Sequence, residues 1–204
     1  MKRLGINIDH IATVRNARGS HHPDPFFAAK YIMKCGANSI TIHLREDRRH
    51  IKDSDVIKLC KSKQIPINLE LSLNDKILNI ALKNKPNYIC IVPENRQEIT
   101  TEGGMNLLRN KKKIIKYITK FKKKKIRTSL FINPNISDVK LANELQTDCI
   151  ELHTGRLSDL VKTQKNYLNE LNKIKKCCIV AKQLGIEVHA GHGLDYKTTK
   201  IINK

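Results

Sequence analysis

The chain repeats one pattern from end to end: an aliphatic strand, a polar loop and an amphipathic helix. The predicted strands are Leu4–His10, Ser39–Arg45, Ile67–Leu71, Tyr88–Val92, Arg127–Ile132, Cys149–Thr154 and Glu187–Ala190. Strands that alternate with helices pair in parallel through right-handed crossovers. About seven such units in one domain, residues 1–204, predict an α/β fold of the TIM (β/α) barrel type. No G-x-G-x-x-G follows the first strand and no G-x-x-x-x-G-K-[ST] occurs, which argues against an open doubly wound sheet.

Polar side chains alternate with aliphatic ones along four of these strands. The polar positions are Asn7, Asp9, Thr41, His43, Arg45, Asn68, Glu70, Glu151 and His153. Successive strand side chains point to opposite faces, so each polar set shares one face. In a barrel that face meets the axis near the C-terminal mouth, where buried charges need mutual pairing or a ligand. The pattern predicts an enzyme that works by general acid–base catalysis, and His43 beside Arg45 suits an anionic substrate.

Three loops add groups that bind anions. Arg15 and Arg18 follow the first strand and can reach across the mouth. Thr100 and Thr101 offer hydroxyls beside the flexible pair Gly103–Gly104, and together these residues can cradle a phosphate. His192 lies between two glycines, where backbone N–H groups can approach a ligand closely. Each of these motifs, taken alone, also fits an ordinary turn or helix start.

The net charge of +20, from 39 Lys and Arg against 19 Asp and Glu, has two interpretations. One is nucleic-acid binding through phosphate contacts. The other is a Lys-rich solvated surface, because much of the excess lies in Lys111–Lys113 and Lys122–Lys125, at the two ends of one helical pattern. Aromatic residues make up only 4% of the chain, which leaves few platforms for stacking bases. We favour the surface interpretation, with no nucleic-acid partner, and keep RNA binding as an alternative function.

The hydropathy of the chain predicts a cytoplasmic protein with no membrane partner. No apolar run approaches the ~20 residues that a membrane helix needs, and the N-terminus lacks the apolar segment and cleavage site of a signal peptide. The six cysteines form no C-x-x-C pair and have no zinc-finger spacing from histidines. We therefore expect them to be small core residues, and we expect no metal site.

Six motifs, in this order, closely resemble the pyridoxine 5'-phosphate synthase family of the deoxyxylulose-dependent vitamin B6 pathway. They are GINIDHIATVRNARG, TIHLREDRRHI, NLELS, VPENRQEITTEGG, IELHTG and AGHGL, and the match runs from about Leu4 to the C-terminus. The resemblance implies a TIM barrel that assembles into homo-octamers and uses no metal or organic cofactor. It also implies condensation of 1-deoxy-D-xylulose 5-phosphate with 3-amino-2-oxopropyl phosphate, which yields pyridoxine 5'-phosphate, inorganic phosphate and water.

The resemblance also implies a role for each matching residue. His43 and Glu70 correspond to proton acceptors, His192 to the proton donor, and Glu151 to the carboxylate that stabilises cationic intermediates. The positions that match the binding site for the aminoketone phosphate are Asn7, Arg18 and Gly193. The positions that match the binding site for deoxyxylulose phosphate are Asp9, His10, Arg45, His50 and Thr100.

The sequence departs from the family at its C-terminal end. It stops at Lys204, whereas the family continues through an eighth strand whose loop supplies a Gly-His pair for the aminoketone phosphate. A barrel of seven strands has two unpaired edges, so we expect lower stability and weaker binding of that substrate than in a full-length relative. A catalytically impaired remnant of the enzyme is therefore a further alternative function.

Overall fold

The computed structural model describes residues 2–94 and 103–203. Within these residues seven strands alternate with nine helices. The fold class is α/β of the TIM-barrel type, as predicted, and these two ranges contain no eighth strand–helix unit. The chain divides into two compact units, residues 1–99 with 119–128 and residues 100–118 with 129–204.

The first unit contains four parallel strands that pair in chain order. Its elements are β1 (Gly5–Asn7), α1 (Asp9–Arg18), α2 (Pro25–Lys34), β2 (Ser39–His43), α3 (Asp53–Lys61), β3 (Ile67–Leu71), α4 (Asp75–Asn84) and β4 (Tyr88–Ile91). The register pairs Thr41 with Asn68 and His43 with Glu70. Paired residues of neighbouring strands point to the same face, so the register places the imidazole beside the carboxylate.

The aliphatic positions of these strands form the core of the first unit. The fully buried side chains of β2 and β3 are Ile40, Ile42, Ile67, Leu69 and Leu71. Helix α3 buries Val56 and Leu59, which lie three residues apart and therefore on one helix face. Helix α4 buries the adjacent residues Ile77 and Leu78. Each such aliphatic side chain contributes about 1.5–3 kcal/mol relative to an exposed one. This burial holds the polar face of β2 and β3 in place.

The second unit contains three strands that pair in parallel in chain order. The remaining elements of the chain are α5 (Leu107–Lys123), β5 (Arg127–Ile132), α6 (Ile136–Glu144), β6 (Cys149–His153), α7 (Gly155–Lys162), α8 (Leu168–Gln183), β7 (Glu187–Gly191) and α9 (Tyr196–Ile202). The end of α5 and the start of β5, residues 119–128, group with the first unit. The register pairs Glu151 with His189 and His153 with Gly191.

The first strand is shorter than predicted. β1 ends at Asn7, and Asp9 begins helix α1 rather than continuing the strand. The Asn7 side chain accepts the Asp9 N–H at 2.8 Å, and an acidic residue in the first turn suits the positive end of a helix. The prediction that Asp9 shares a strand face with Asn7 was therefore wrong, as was the prediction that Arg15 and Arg18 lie in a loop, because both belong to α1.

One stretch of the sequence with a continuous helical pattern forms two helices in the structure. The helical pattern from Ser158 to Leu184 contains a break between α7 and α8, where Gln164 adopts a positive φ of 53°. Asn166 Oδ1 then accepts the Leu168 N–H at 3.0 Å and begins the next helix. The apolar period alone does not register such a break, because side chains on both sides of it are buried.

The predicted surface features are largely present in the described ranges. The predicted surface lysines, Lys111–Lys113 and Lys122–Lys125, are exposed, while Ile114, Tyr117 and Phe121 are buried. Of the cysteines predicted to be core residues, Cys90, Cys149 and Cys177 are buried and Cys60 and Cys178 are half-buried. Cys35 is exposed, so the prediction was wrong for that cysteine. None of the described helices has both the length and the apolar character needed to cross a membrane.

Candidate active site

His43 is the last residue of β2, and residues near the start of the chain fix its position. Only 5% of its surface is exposed, and its backbone N–H donates to Asp9 Oδ1 at 2.8 Å. Asn7 Nδ2 donates to the other oxygen of Asp9, also at 2.8 Å. The short strand β1 and the first turn of α1 therefore fix the position of the end of β2.

The imidazole of His43 lies between two carboxylates. Glu70 Oε2 is 3.7 Å from Nδ1, and Glu94 Oε2 is 3.7 Å from Nε2. We refer to the residues around this ring as the His43 cluster, which consists of Asp9, His43, Arg45, Glu70 and Glu94. The ligand atoms of Asp9, His43 and Glu70 lie within 4.8 Å of one another, so these side chains are close enough to hold a cation as well as to move protons.

Glu94 and Arg45 form a buried charge pair within this cluster. The two side chains are 2% and 3% exposed, and Arg45 Nε lies 3.6 Å from Glu94 Oε1. The same carboxylate oxygen accepts the backbone N–H of Glu46 at 2.8 Å. Burial raises the pKa of Glu94, but the His43 ring, the Glu46 N–H and the Arg45 charge together outweigh it, so the pKa lies below its ordinary value. Glu94 is therefore a carboxylate at neutral pH.

His50 lies in a loop that is attached to α1. Its Nδ1 is 2.7 Å from Thr13 Oγ1, and its ring makes an edge contact with His10 at 6.1 Å between centroids. Asn16 Nδ2 donates to the His50 carbonyl at 2.8 Å. Burial lowers the pKa of His50, while the nearby Asp9 carboxylate raises it less. The ring is therefore neutral at neutral pH, so one of its nitrogens donates a hydrogen bond and the other accepts one.

Two of the predicted anion-binding residues, Arg18 and Thr100, lie outside this cluster or outside the described residues. Arg18 is exposed in the last turn of α1, about 13 Å along the helix from Asp9 at 1.5 Å per residue. Thr100 falls outside the residues that the structure describes.

The second unit contains a cluster around His192, made of Glu151, His153, Thr154 and His192. The His153 ring packs on Phe131 at 5.4 Å, edge to face, and on His192 at 4.7 Å between centroids. Thr154 is fully buried, and its Oγ1 is placed to donate to the carbonyls of Gly191 and His192, at 2.6 and 2.8 Å. The end of β6 therefore anchors the loop that carries His192, which has a positive φ of 79°.

Burial governs the charge state of His153. It lowers the pKa of that ring, and the nearby His192 lowers it further.

Beside His153 lies a cavity of about 390 Å³ that also contacts Arg156 and Lys173. Both cations are within ion-pair distance of Glu170, at 3.7 and 3.1 Å, so one carboxylate offsets part of their charge.

A glycine makes room for the carboxylate of Glu151. A Cβ placed on Gly191 would overlap Glu151 Oε1, so any other residue at this position would displace the carboxylate. Gly193, two residues later, has a positive φ of 74°, and a Cβ there would lie 3.2 Å from Ser158 Cβ. The motif A-G-H-G-L thus has a glycine on each side of His192 for different reasons, one of space and one of backbone conformation.

Comparison with known proteins identifies the family. Residues 4–204 match the family described as "Pyridoxal phosphate biosynthesis protein PdxJ". The chain belongs to this family. The pyridoxine 5'-phosphate synthase of Pelagibacter ubique is 68% identical over the whole chain and 85% of its own length. The enzyme of the same name from Blochmanniella pennsylvanica is 48% identical over 98% of the chain and 81% of its own length.

Among solved structures, the PdxJ-family chain resembles the HMG-CoA lyase of Bacillus subtilis in fold. The TM-score is 0.55 and the sequence identity 13%, over 93% of this chain and 76% of that one. At this identity the likeness concerns the fold alone. It agrees with the TIM-barrel class predicted from the alternation of strands and helices.

Six of the twelve residues predicted from the PdxJ-family motifs lie in one of the two clusters: Asp9, His43, Arg45, Glu70, Glu151 and His192. The prediction missed three residues that shape these sites. Glu94 is one, although it lies three residues after the end of β4, and a carboxylate close to a strand end is a signal that could have found it. Asp55 is another, through its ion pair with Arg15 at 2.6 Å. The anchoring role of Thr154 has no signal in the sequence, because its partners lie 37 and 38 residues away.

Proposed function

We propose that this chain is a pyridoxine 5'-phosphate synthase that condenses 1-deoxy-D-xylulose 5-phosphate with 3-amino-2-oxopropyl phosphate. The products are pyridoxine 5'-phosphate, inorganic phosphate and water. The observation that carries the proposal is a buried imidazole between two carboxylates in a chain that is 68% identical to an enzyme of that name. The proposal includes a cytoplasmic homo-oligomer as the working form.

The reaction needs protons to be moved in several separate steps. The amine attacks the ketone and forms an imine with loss of water, and phosphate loss, ring closure and dehydration follow. In the proposal His43 and Glu70 accept protons from carbon or oxygen, and His192 returns one. General bases and acids of this kind contribute about 10²–10⁴-fold each when they are held in position. The support is that His43 and Glu70 are adjacent on neighbouring strands.

The cationic intermediates need a stabilising charge, and in the proposal Glu151 supplies it. The support is its place beside Gly191, where the lack of a side chain leaves space for the carboxylate. The phosphates act as handles, since binding energy from them fixes the reacting carbons. The proposed contacts for deoxyxylulose phosphate are Asp9, His10, Arg45, His50 and Thr100, and those for the aminoketone phosphate are Asn7, Arg18 and Gly193.

Turnover of both phosphorylated substrates by the chain as written tests the proposal. Formation of pyridoxine 5'-phosphate, followed by chromatography and mass, is expected for the wild type and is expected to be lost in His43→Asn. Lack of product from a folded wild-type chain would contradict the proposal and favour the impaired remnant. RNA binding that weakens with salt and survives excess deoxyxylulose phosphate would instead favour the alternative based on the net charge of +20.

A further inference from the structure

Glu94 is a buried carboxylate with an unusual set of neighbours. Its side chain is 2% exposed, and burying a charge costs several kcal/mol unless partners compensate it. One oxygen, Oε1, has such partners in the Glu46 N–H and Arg45. The other oxygen, Oε2, makes no hydrogen bond and faces His43 Nε2, which makes none either, across 3.7 Å. A small movement of either side chain would close this gap to a hydrogen bond.

Glu70 and Glu94, the two carboxylates within ion-pair distance of the His43 ring nitrogens, compete for one proton. A neutral imidazole has one N–H donor and one nitrogen lone pair. Glu70, opposite Nδ1, is 17% exposed at the side chain, whereas Glu94, opposite Nε2, is 2% exposed. A buried acceptor without a hydrogen-bond donor costs more free energy than an exposed one, because water cannot replace the missing donor. This difference in exposure favours the proton on Nε2 and the lone pair on Nδ1.

We propose that Glu94 is a positioning residue that holds the neutral His43 ring in its Nε2–H tautomer, so that Nδ1 is the atom that takes up a proton. This inference rests on the proposed function, in which His43 is a proton acceptor. It places the two proton-accepting atoms, His43 Nδ1 and the Glu70 carboxylate, next to each other at 3.7 Å. Glu94 acts through the ring and through Arg45 and does not itself contact the reacting atoms.

Nitrogen NMR of histidine-labelled protein tests the tautomer without any need for activity. The chain has eight histidines, and the His43→Asn variant identifies the signals of His43 by their loss. With the pH set so that the ring is neutral, we expect the wild type to show a protonated Nε2 and an unprotonated Nδ1. Glu94→Gln is expected to give a mixture of tautomers, because an amide can either accept from or donate to Nε2.

A matched control uses another carboxylate beside a histidine. Glu187 Oε1 lies 2.7 Å from His189 Nε2 on β7, and neither residue belongs to the proposed machinery. Glu187→Gln should leave the signals of His43 unchanged. Glu94→Asp, which keeps the charge on a shorter side chain, serves as a second variant if Glu94→Gln fails to fold, and it should retain part of the Nε2–H preference.

Kinetics provide the second readout. We expect Glu94→Gln to lower kcat by about ten-fold or more and to change the KM of either substrate less. A general loss of structure would not lower kcat while leaving both KM values nearly unchanged. A wild-type ring protonated on Nδ1, or a tautomer ratio that Glu94→Gln does not alter, would overturn the inference. A wild-type chain that shows the Nε2–H tautomer but forms no pyridoxine 5'-phosphate would refute the proposed function and leave the role of Glu94 supported.

Discussion

The ion pair between Arg15 and Asp55 shows how burial decides the strength of a charge pair. Arg15 donates through both terminal nitrogens to the two oxygens of Asp55, at 2.6 and 2.9 Å, and the side chains are 11% and 10% exposed. The same carboxylate accepts the Lys52 N–H at 2.8 Å, where α3 begins. The pair therefore joins α1 to the start of α3.

We expect Arg15→Met to lower the free energy of unfolding by about 3–5 kcal/mol, because it leaves a buried carboxylate without its counter-ion. The matched control is Lys58→Met. Lys58 Nζ also lies 2.6 Å from a carboxylate, that of Asp24, but the lysine side chain is 48% exposed. Water already solvates that pair, so the expected loss is about 1 kcal/mol or less. The shortest N···O distance is 2.6 Å in both pairs, so distance does not explain a difference between the two losses.

Urea unfolding followed by circular dichroism measures both losses. With a slope of about 2 kcal/mol per molar urea, the midpoint should fall by about 1.5–2.5 M for Arg15→Met and by about 0.5 M or less for Lys58→Met. Adding Asp55→Asn to Arg15→Met should recover part of the loss, because a neutral amide oxygen still accepts the Lys52 N–H. If Arg15→Met lost no more stability than Lys58→Met, the reasoning from burial would be refuted.

Three further changes test the second unit. Gly191→Ala should displace the Glu151 carboxylate and lower kcat by about ten-fold or more. Little stability should be lost, because the atom that must move is the end of a flexible side chain. An unchanged kcat would contradict this account of the site. Thr154→Val should lower the free energy of unfolding by about 1–2 kcal/mol through loss of its hydrogen bonds to the loop of His192, and a melting curve equal to that of the wild type would disprove it. Burial holds the pKa of His153 below its ordinary value of 6.5, so below about pH 6.5 the unfolded chain binds a proton that the folded chain does not, and stability falls. His153→Phe should flatten the curve of unfolding free energy between about pH 7 and 5.5, and an unaltered slope would rule out this contribution.

Periodicity determined the class of fold and the polar faces of the strands. Ile40 and Ile42 alternate with Thr41 and His43, and the structure buries the first pair fully. This could be read from the sequence because a strand repeats every two residues whatever it packs against. Specific motifs determined the family in the same way, since they are local strings such as A-G-H-G-L.

Tertiary structure decided the charge partners, because these arise from contacts between residues far apart in the chain. Glu94 finds its partners 48 to 51 residues earlier, at Glu46, Arg45 and His43. Helix α1 was missed because its sequence has no continuous apolar stripe: Ala12 is buried but Val14 is 50% exposed. A pKa, a tautomer or a buried ion pair depends on which groups exclude water from one another, and this is set only when the elements pack.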